Sequence, residues 1–489
     1  MALHARALSG FFLSMSVLSG AAGVAAVAAC GTSEVAIPDA TDPPPPGNVP
    51  TASGPTFHKD VAPILQAHCQ KCHAPGGLAP FSLLTYADAN GMSPAMVAET
   101  SARRMPPWGA QDTPECKPRL KWNHDERLTE AEIKTLADWD AAGTPEGDPK
   151  DAPAARTVDA MDLQGATDTL VPRSPFTASG DHDQFRCFVL DHPYAQGAYV
   201  TGIHVVPGNK QVVHHAVVFT DPGGRIAALA GPDGSFDCAS NAMMNDGGGQ
   251  TDGQNGTTLD VWTPGITAVD LPPNIAIPLA AGSKLIMQIH YSPGGATVAP
   301  DLTKVLLRTT AKKPEYLLFT TAVGNASLQL PTGDGLMPSP SDPGGAPRFE
   351  IPRNVRDHVE RMQFTMPPKA VGAEKQTIWI YGVMAHQHLA GIDVKIDLER
   401  GSDAQCLLQD RWDFHWQRMY TYAAPVEKLP TLEPGDKIKL RCTYDNSMMN
   451  RRLGAEYKQR NLSPMDLHLG EETLDEMCLV IPQLLVKHP

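Results

Sequence analysis

The sequence lacks a basic surplus: 40 Lys and Arg stand against 54 Asp and Glu, for a net charge of −14 and a pI near 5.6. Nucleic acid, whose phosphates demand a basic face, is excluded as a partner, and the acidity serves mainly solubility. Beyond residue 155 no sustained helical period appears, which excludes a long helical array. A βαβ pattern is absent too. The Gly- and Asn-rich run from Asn245 to Gly256 therefore reads as a loop, not as a phosphate cradle. What is present is a globular composition, 42% hydrophobic and 19% charged over 489 residues, with 45 prolines and 42 glycines. That length suits about three domains, and that many turn formers point to a β-rich architecture.

The first thirty residues contain Arg6 but no acid, then an apolar run ending Val27-Ala28-Ala29-Cys30-Gly31. This is the layout of a secretory signal. The ending resembles a bacterial lipobox, which implies that Cys30 becomes the lipidated first residue of the mature chain; the alternative is an ordinary cleaved signal with an incidental Cys. Either way the protein is expected to be exported, as a periplasmic or cell-surface lipoprotein of a bacterium that meets the membrane only through its lipid anchor. Residues 31–55 hold Pro43-Pro44-Pro45-Pro46 and almost nothing to bury, so they read as an extended tether. Disulfides persist outside the cytosol. Setting Cys30, Cys69 and Cys72 aside leaves Cys116, Cys187, Cys238, Cys406, Cys442 and Cys478, an even set compatible with three bridges of unspecified pairing.

From Phe57, Val61, Ile64 and Leu65 recur at helical spacing and lead into Cys69-Gln70-Lys71-Cys72-His73. That is the spacing of c-type haem attachment: two thiols form thioethers and the adjacent imidazole faces the iron. A thioredoxin-like motif and a structural zinc site compete, but the first lacks its βαβ context and the second a further ligand pair. Met105, followed by Pro106 and Pro107, is the favoured second axial ligand, although Met92 and Met96 lie closer in sequence. Leu128–Trp139 predicts an amphipathic helix capped by Thr129 with Glu132 three residues on, and it resembles the closing helix of small mono-haem cytochromes c. The expected architecture is multidomain: a small all-α cytochrome c domain over 56–147, a linker over 148–175, and two all-β jelly-roll-type sandwiches over 176–312 and 313–489.

Chemistry concentrates in the β region. The run Thr377–Gly391, TIWIYGVMAHQHLAG, reads as a strand ending in a turn, and residues two apart on a strand share a face, so His386 and His388 can reach one point. Adjacent His214 and His215 sit in another strand, where a bulge is needed before both can reach one ion. His290 adds an imidazole from Gln288-Ile289-His290-Tyr291. Three neutral imidazoles suit copper or zinc; Met477 in Asp475-Glu476-Met477-Cys478 offers a thioether, which favours Cu(I). His68, His124, His182, His192, His204, His358, His415 and His468 lack a partner at ligand spacing. His415, flanked by Phe414 and Trp416, reads as core.

Residues 180–489 resemble the copper type II, ascorbate-dependent monooxygenases, the group containing peptidylglycine α-hydroxylating monooxygenase and dopamine β-monooxygenase. The resemblance rests on VVHHAVVF, LPPNIAIPLAAG followed by MQIHY, MAHQHLAG, KLRCTYDN and DEMCLV, in family order. It implies two separate mononuclear coppers, an electron-transfer ion on His214, His215 and His290 and an oxygen-binding ion on His386, His388 and Met477. It also implies a Cys442–Cys478 disulfide, ascorbate as a reductant, and dioxygen with a small organic molecule as substrates. Gln288 matches a family position between the electron-transfer site and the substrate. Where the peptidylglycine enzymes have an Arg, this chain has Met384; where they have Asn and Tyr it has Leu479 and Ile481. A peptide with a free C-terminus is therefore not the expected substrate, and the pocket is expected to be more apolar. The sequence thus predicts an exported copper monooxygenase with a haem as electron donor or relay and a redox partner protein as a further candidate. A non-catalytic haem and copper carrier is the alternative, and a zinc hydrolase leaves the Met and the haem motif unexplained.

Overall fold

A computed structural model describes residues 54–75, 79–154, 163–180, 183–238, 256–263, 266, 268–293, 298–324, 333–339, 342, 347–367, 376–470 and 472–489. The expected signal segment with Cys30, most of the tether, His182 and loop residues 245–255 lie outside them.

Near the N-terminus, α1 (Ala62–His68), α2 (Tyr86–Ser101) and α3 (Glu130–Ala141) surround a small core of Val61, Leu65, Leu136 and Trp139. Burying each such side chain contributes roughly 1.5–3 kcal/mol. Thr129 caps α3 as its sequence predicts, accepting from the Glu132 amide at 3.2 Å while Glu132 Oε2 accepts from the Thr129 amide at 2.7 Å.

The β region is organised around an eleven-stranded sheet. In it, Tyr316–Thr320 pairs in parallel with Ile275–Leu279 and antiparallel with Leu479–Lys487, which in turn pairs with Ile378–His386. A five-stranded sheet in the first half contains Gln184–Leu190, Lys284–Tyr291, Val213–Asp221 and Thr258–Trp262. One in the second half contains Val355–Thr365, Lys437–Asn446, Gly391–Arg400 and Asp403–Asp410. A fourth helix, α4 (Arg451–Gln459), follows Lys437–Asn446.

Two parts of the expected fold class are corrected. The described chain is mostly β-sheet with four short α-helices, and no small all-α cytochrome domain stands apart; residues 52–489 form one compact unit. The reason is the segment after α2. Trp108, Ala110 and Trp122 belong to the main β core, with the Trp122 ring stacked on Tyr422 at 5.0 Å, and Cys116 is bridged to Cys406 in a β-strand. Nor do the strands divide into two independent sandwiches, because Tyr316–Thr320 stitches both halves into one sheet. The other bridges are Cys187–Cys238 and Cys442–Cys478, the latter as the family resemblance implies.

At the junction of the N-terminal segment and the β body, Ala110 bridges Asp410, and a Cβ on Gly109 would lie 1.7 Å from Asp410 Oδ1, so only glycine fits there. Burial, reinforced by Asp393 and Asp413 and opposed by the Tyr420 hydroxyl, pushes the Asp410 carboxyl from 3.8 up to about 7. The folded protein therefore holds a proton that the unfolded chain releases. Stability from this group is full below about pH 4 and falls through pH 7, by on the order of 4 kcal/mol. Asp410→Asn is expected to flatten the urea midpoint between pH 4 and 7. Parallel profiles for the two proteins would refute the assignment.

Candidate metal centres

The strands Val213–Asp221 and Lys284–Tyr291 are antiparallel neighbours whose register shifts between Val213 and His215, placing His215 opposite His290. That bulge lets adjacent histidines serve one point. His215 Nδ1 lies 3.3 Å from His214 Nδ1 and 3.3 Å from His290 Nδ1. Metal–nitrogen bonds of about 2.0–2.1 Å at tetrahedral angles separate ligand nitrogens by about 3.3–3.4 Å, so the edges match a metal site. Burial, then the neighbouring imidazoles, hold His214 and His215 well below the usual histidine value, so both present neutral nitrogens.

Behind His290 stands a residue with no motif to mark it. Asp183 Oδ1 is 3.6 Å from His290 Nε2, while its Oδ2 accepts from Arg460 and from the Thr473 amide, each at 3.3 Å. Burial pushes the Asp183 carboxyl up, but His290, Thr473 and Arg460 outweigh it and hold the group well below the usual carboxylate range. A carboxylate on the far nitrogen of a metal-ligating histidine orients the ring and raises its basicity. Asp183→Asn is accordingly expected to weaken metal binding at this site by about 10–100-fold, with the second site unchanged. A chelator-competition titration that finds no change at the first site would show Asp183 to be only structural.

The second site hangs on Ile378–His386 and Leu479–Lys487, where His386 pairs with Leu479; His388 lies two residues beyond the end of one strand and Met477 two residues before the start of the other. His386 Nδ1 donates to Gln417 Oε1 at 2.8 Å and His388 Nδ1 donates to the Asp475 carbonyl at 3.1 Å. With both partners acceptors, each ring carries its lone pair on Nε2. Burial pushes His386 down to about 4 and His388 down to about 3, so both are neutral at pH 7. The ring centres are 5.2 Å apart. Met477 is 6% exposed, its carbonyl accepts from Tyr444 Oη at 2.8 Å, and the next residue is anchored by the Cys442 bridge.

Glu476 fastens this loop. Its fully buried carboxyl accepts from the amides of His388 (2.8 Å), Ala390 (2.6 Å), Gly391 (3.2 Å) and Met477 (3.2 Å). Of the replaced family positions, Met384 and Leu479 are buried in the sheet, 1% and 6% exposed, and Ile481 is half-buried.

One short stretch, Trp412 to Gln417, touches both sites. Trp412 Nε1 donates to the His388 carbonyl at 2.9 Å, Gln417 holds His386, and the Phe414 ring stacks on His214 with centres 4.5 Å apart. A cavity of about 660 Å³ opens here, lined by His214, Leu389, Phe414, His415, Arg452 and Thr473. His415 is thus a cavity residue 6.0 Å from the His214 ring rather than a core one. Gln288 is buried on the strand that carries His290.

The N-terminal motif is built separately. Cys69 and Cys72 are free, half-buried thiols at the end of α1, and burial pushes Cys69 up to about 12. His73 Nδ1 donates to the Phe81 carbonyl at 3.3 Å, which leaves the lone pair on Nε2. Two free thiols and a neutral, oriented imidazole fit covalent haem attachment. Met105 is 36% exposed beyond α2, whereas Met92 and Met96 pack in the cluster that includes Cys69. Lys71, inside the motif, and Arg418, next to Gln417, both grip Glu126, at 3.0 and 2.9 Å.

Asp183, Gln417, Glu476 and Phe414 all escape a motif reading. Glu476 sits inside DEMC and Phe414 beside His415, but neither motif marks its role.

Comparison with curated proteins finds no match. Among solved structures the chain aligns with the major capsid protein P2 from bacteriophage PM2 (9% identity, TM-score 0.23, 66% of this chain and 98% of that one). It also aligns with PNGF-II (8% identity, TM-score 0.25, 66% of each chain), and at such scores neither alignment carries an argument. Residues 350–481, the stretch that carries His386, His388, Met477 and the Cys442–Cys478 bridge, match the family model described as the copper type II ascorbate-dependent monooxygenase, C-terminal domain.

Proposed function

We propose that the chain is an exported copper-dependent monooxygenase that hydroxylates an activated C–H bond of a small organic substrate with dioxygen. Electrons come from ascorbate or through a haem held by Cys69, Cys72 and His73. The observation that carries this reading is the pair of imidazole sets joined through the Phe414 ring, the first a trio with metal-site spacing and the second lying in the stretch that matches the copper monooxygenase family. His214, His215 and His290 hold the first copper; His386, His388 and Met477 hold the second, the thioether favouring Cu(I). Copper so held supplies one-electron exchange with dioxygen.

The protein's own groups do the rest. Gln417 and the Asp475 carbonyl fix the His386 and His388 tautomers, Asp183 orients His290, and Glu476 holds the loop between His388 and Met477. The cavity, whose lining includes Leu389, the residue after His388, seats substrate. Glu126 holds the thiol motif against the β body, tying Lys71 to Arg418.

Metal analysis of the full chain should find two coppers, and an oxygen-consumption screen across amines, amides and aromatic compounds with ascorbate should find substrate-dependent uptake. A carrier of copper and electrons would change redox state without such uptake. For the donor, rapid mixing should show reduced haem reoxidising only when copper is loaded.

A further inference from the structure

We propose that Phe414 is the positioning residue that couples the two histidine sites, setting their separation and forming the packed contact across which they exchange an electron. The inference rests on the reading of both sites as copper sites.

Phe414 is 5% exposed and lies between the trios. Its ring stacks on His214 at 4.5 Å and 26°, and meets His388 edge-on at 6.1 Å and 72°. No other described side chain has ring contacts with a histidine of each set. Its position is fixed from both halves of the protein. Gln417 Nε2 donates to the Phe414 carbonyl at 3.2 Å while Gln417 Oε1 holds His386, and the Gln417 carbonyl accepts from Thr263 Oγ1 at 3.0 Å, a residue just past a first-half strand. Trp412 Nε1 binds the His388 carbonyl at 2.9 Å, and Arg452 of α4 pairs with Asp413. A residue meant only to fill space needs none of this scaffolding.

The ring's chemistry suits the task. It has no polar group to recruit water between the sites, and stacking in van der Waals contact keeps the gap filled with polarisable matter. In the exchange one electron leaves the copper of the first site and enters that of the second; no atom moves, and the external reductant restores the first.

The experiment uses the full chain loaded with copper, with Phe414→Leu, Phe414→Ala and the ring-preserving Phe414→Trp. All are expected to bind two coppers. After anaerobic addition of less than one electron equivalent, redistribution between the sites should be at least about tenfold slower in the Leu and Ala variants and within a few-fold of wild type in the Trp variant. Frozen-solution EPR of the fully oxidised Ala variant should show altered dipolar broadening between the cupric ions. Wild-type redistribution and broadening in Phe414→Leu would overturn the assignment, as would equal slowing in the Leu and Trp variants. Failure of the wild-type chain to bind two coppers would instead sink the functional reading itself.

Discussion

Glu476→Ala is expected to cost on the order of 5 kcal/mol of stability and to lower copper content from two to one per chain. The carboxyl is completely buried and is the acceptor for four backbone amides, those of His388, Ala390, Gly391 and Met477. Leaving a buried donor without a partner costs about 1–3 kcal/mol, and alanine strands all four while opening a void beside His388. Folded domains have only about 5–15 kcal/mol in hand, so the loss is a large share of the total. Copper falls because two of those amides belong to His388 and Met477, two of the three residues proposed to hold the second ion. Glu476→Gln tests the account more finely. Its single carbonyl oxygen can serve about half of the donors while its amide faces the rest, so denaturant unfolding should place it between wild type and Ala. An alanine variant that unfolds like wild type and keeps both coppers would show the loop to be held by something else.

The contrast between Glu476 and His386 explains what was legible beforehand. Histidines able to share one ion cluster in short strand motifs because strand geometry brings residues two apart, or adjacent across a bulge, to one point, and that signal survives in sequence. The groups that orient those ligands come from anywhere. Asp183 is 107 residues from His290, and Gln417 is 31 from His386. A lone Asp or Gln looks the same whether it faces solvent or a ring nitrogen, and only the folded chain tells them apart. His415 was misread for a related reason. Its aromatic neighbours suggested core, yet both residues line the cavity, Phe414 buried between the two sites and His415 exposed.

The fold shows the same division. The capping box at Thr129 and the helical spacing of Val61, Ile64 and Leu65 correctly placed α3 and α1, because both signals are local. Their assembly into a separate cytochrome domain did not follow. Nothing local in Trp108, Cys116 or Trp122 announces that they pack against Tyr420, Cys406 and Tyr422, some three hundred residues away. Likewise Tyr316–Thr320 reads as one more short strand, and its role in joining two halves is a matter of pairing, not of composition.

His290→Ala is the change expected to affect activity most. His290 is 1% exposed, stacked on Phe185 with ring centres 4.4 Å apart, and is the only first-site ligand contributed by its strand. Without it two imidazoles remain, and affinity should fall by more than the roughly 10–100-fold that loss of an orienting partner costs. Asp183 keeps Arg460 and the Thr473 amide as partners, so no uncompensated charge is stranded and the fold should persist. Because the sites share no ligand, copper analysis should fall from two to one per chain with the second ion retained. The decisive reading is oxygen uptake. If dioxygen must receive two electrons from two coppers, the variant with an intact second site should lose substrate-dependent uptake at least about a hundredfold, a far larger defect than its modest loss of stability can explain. Uptake that survives with one copper bound would mean that the second site works alone and that the first is a store for metal rather than for electrons.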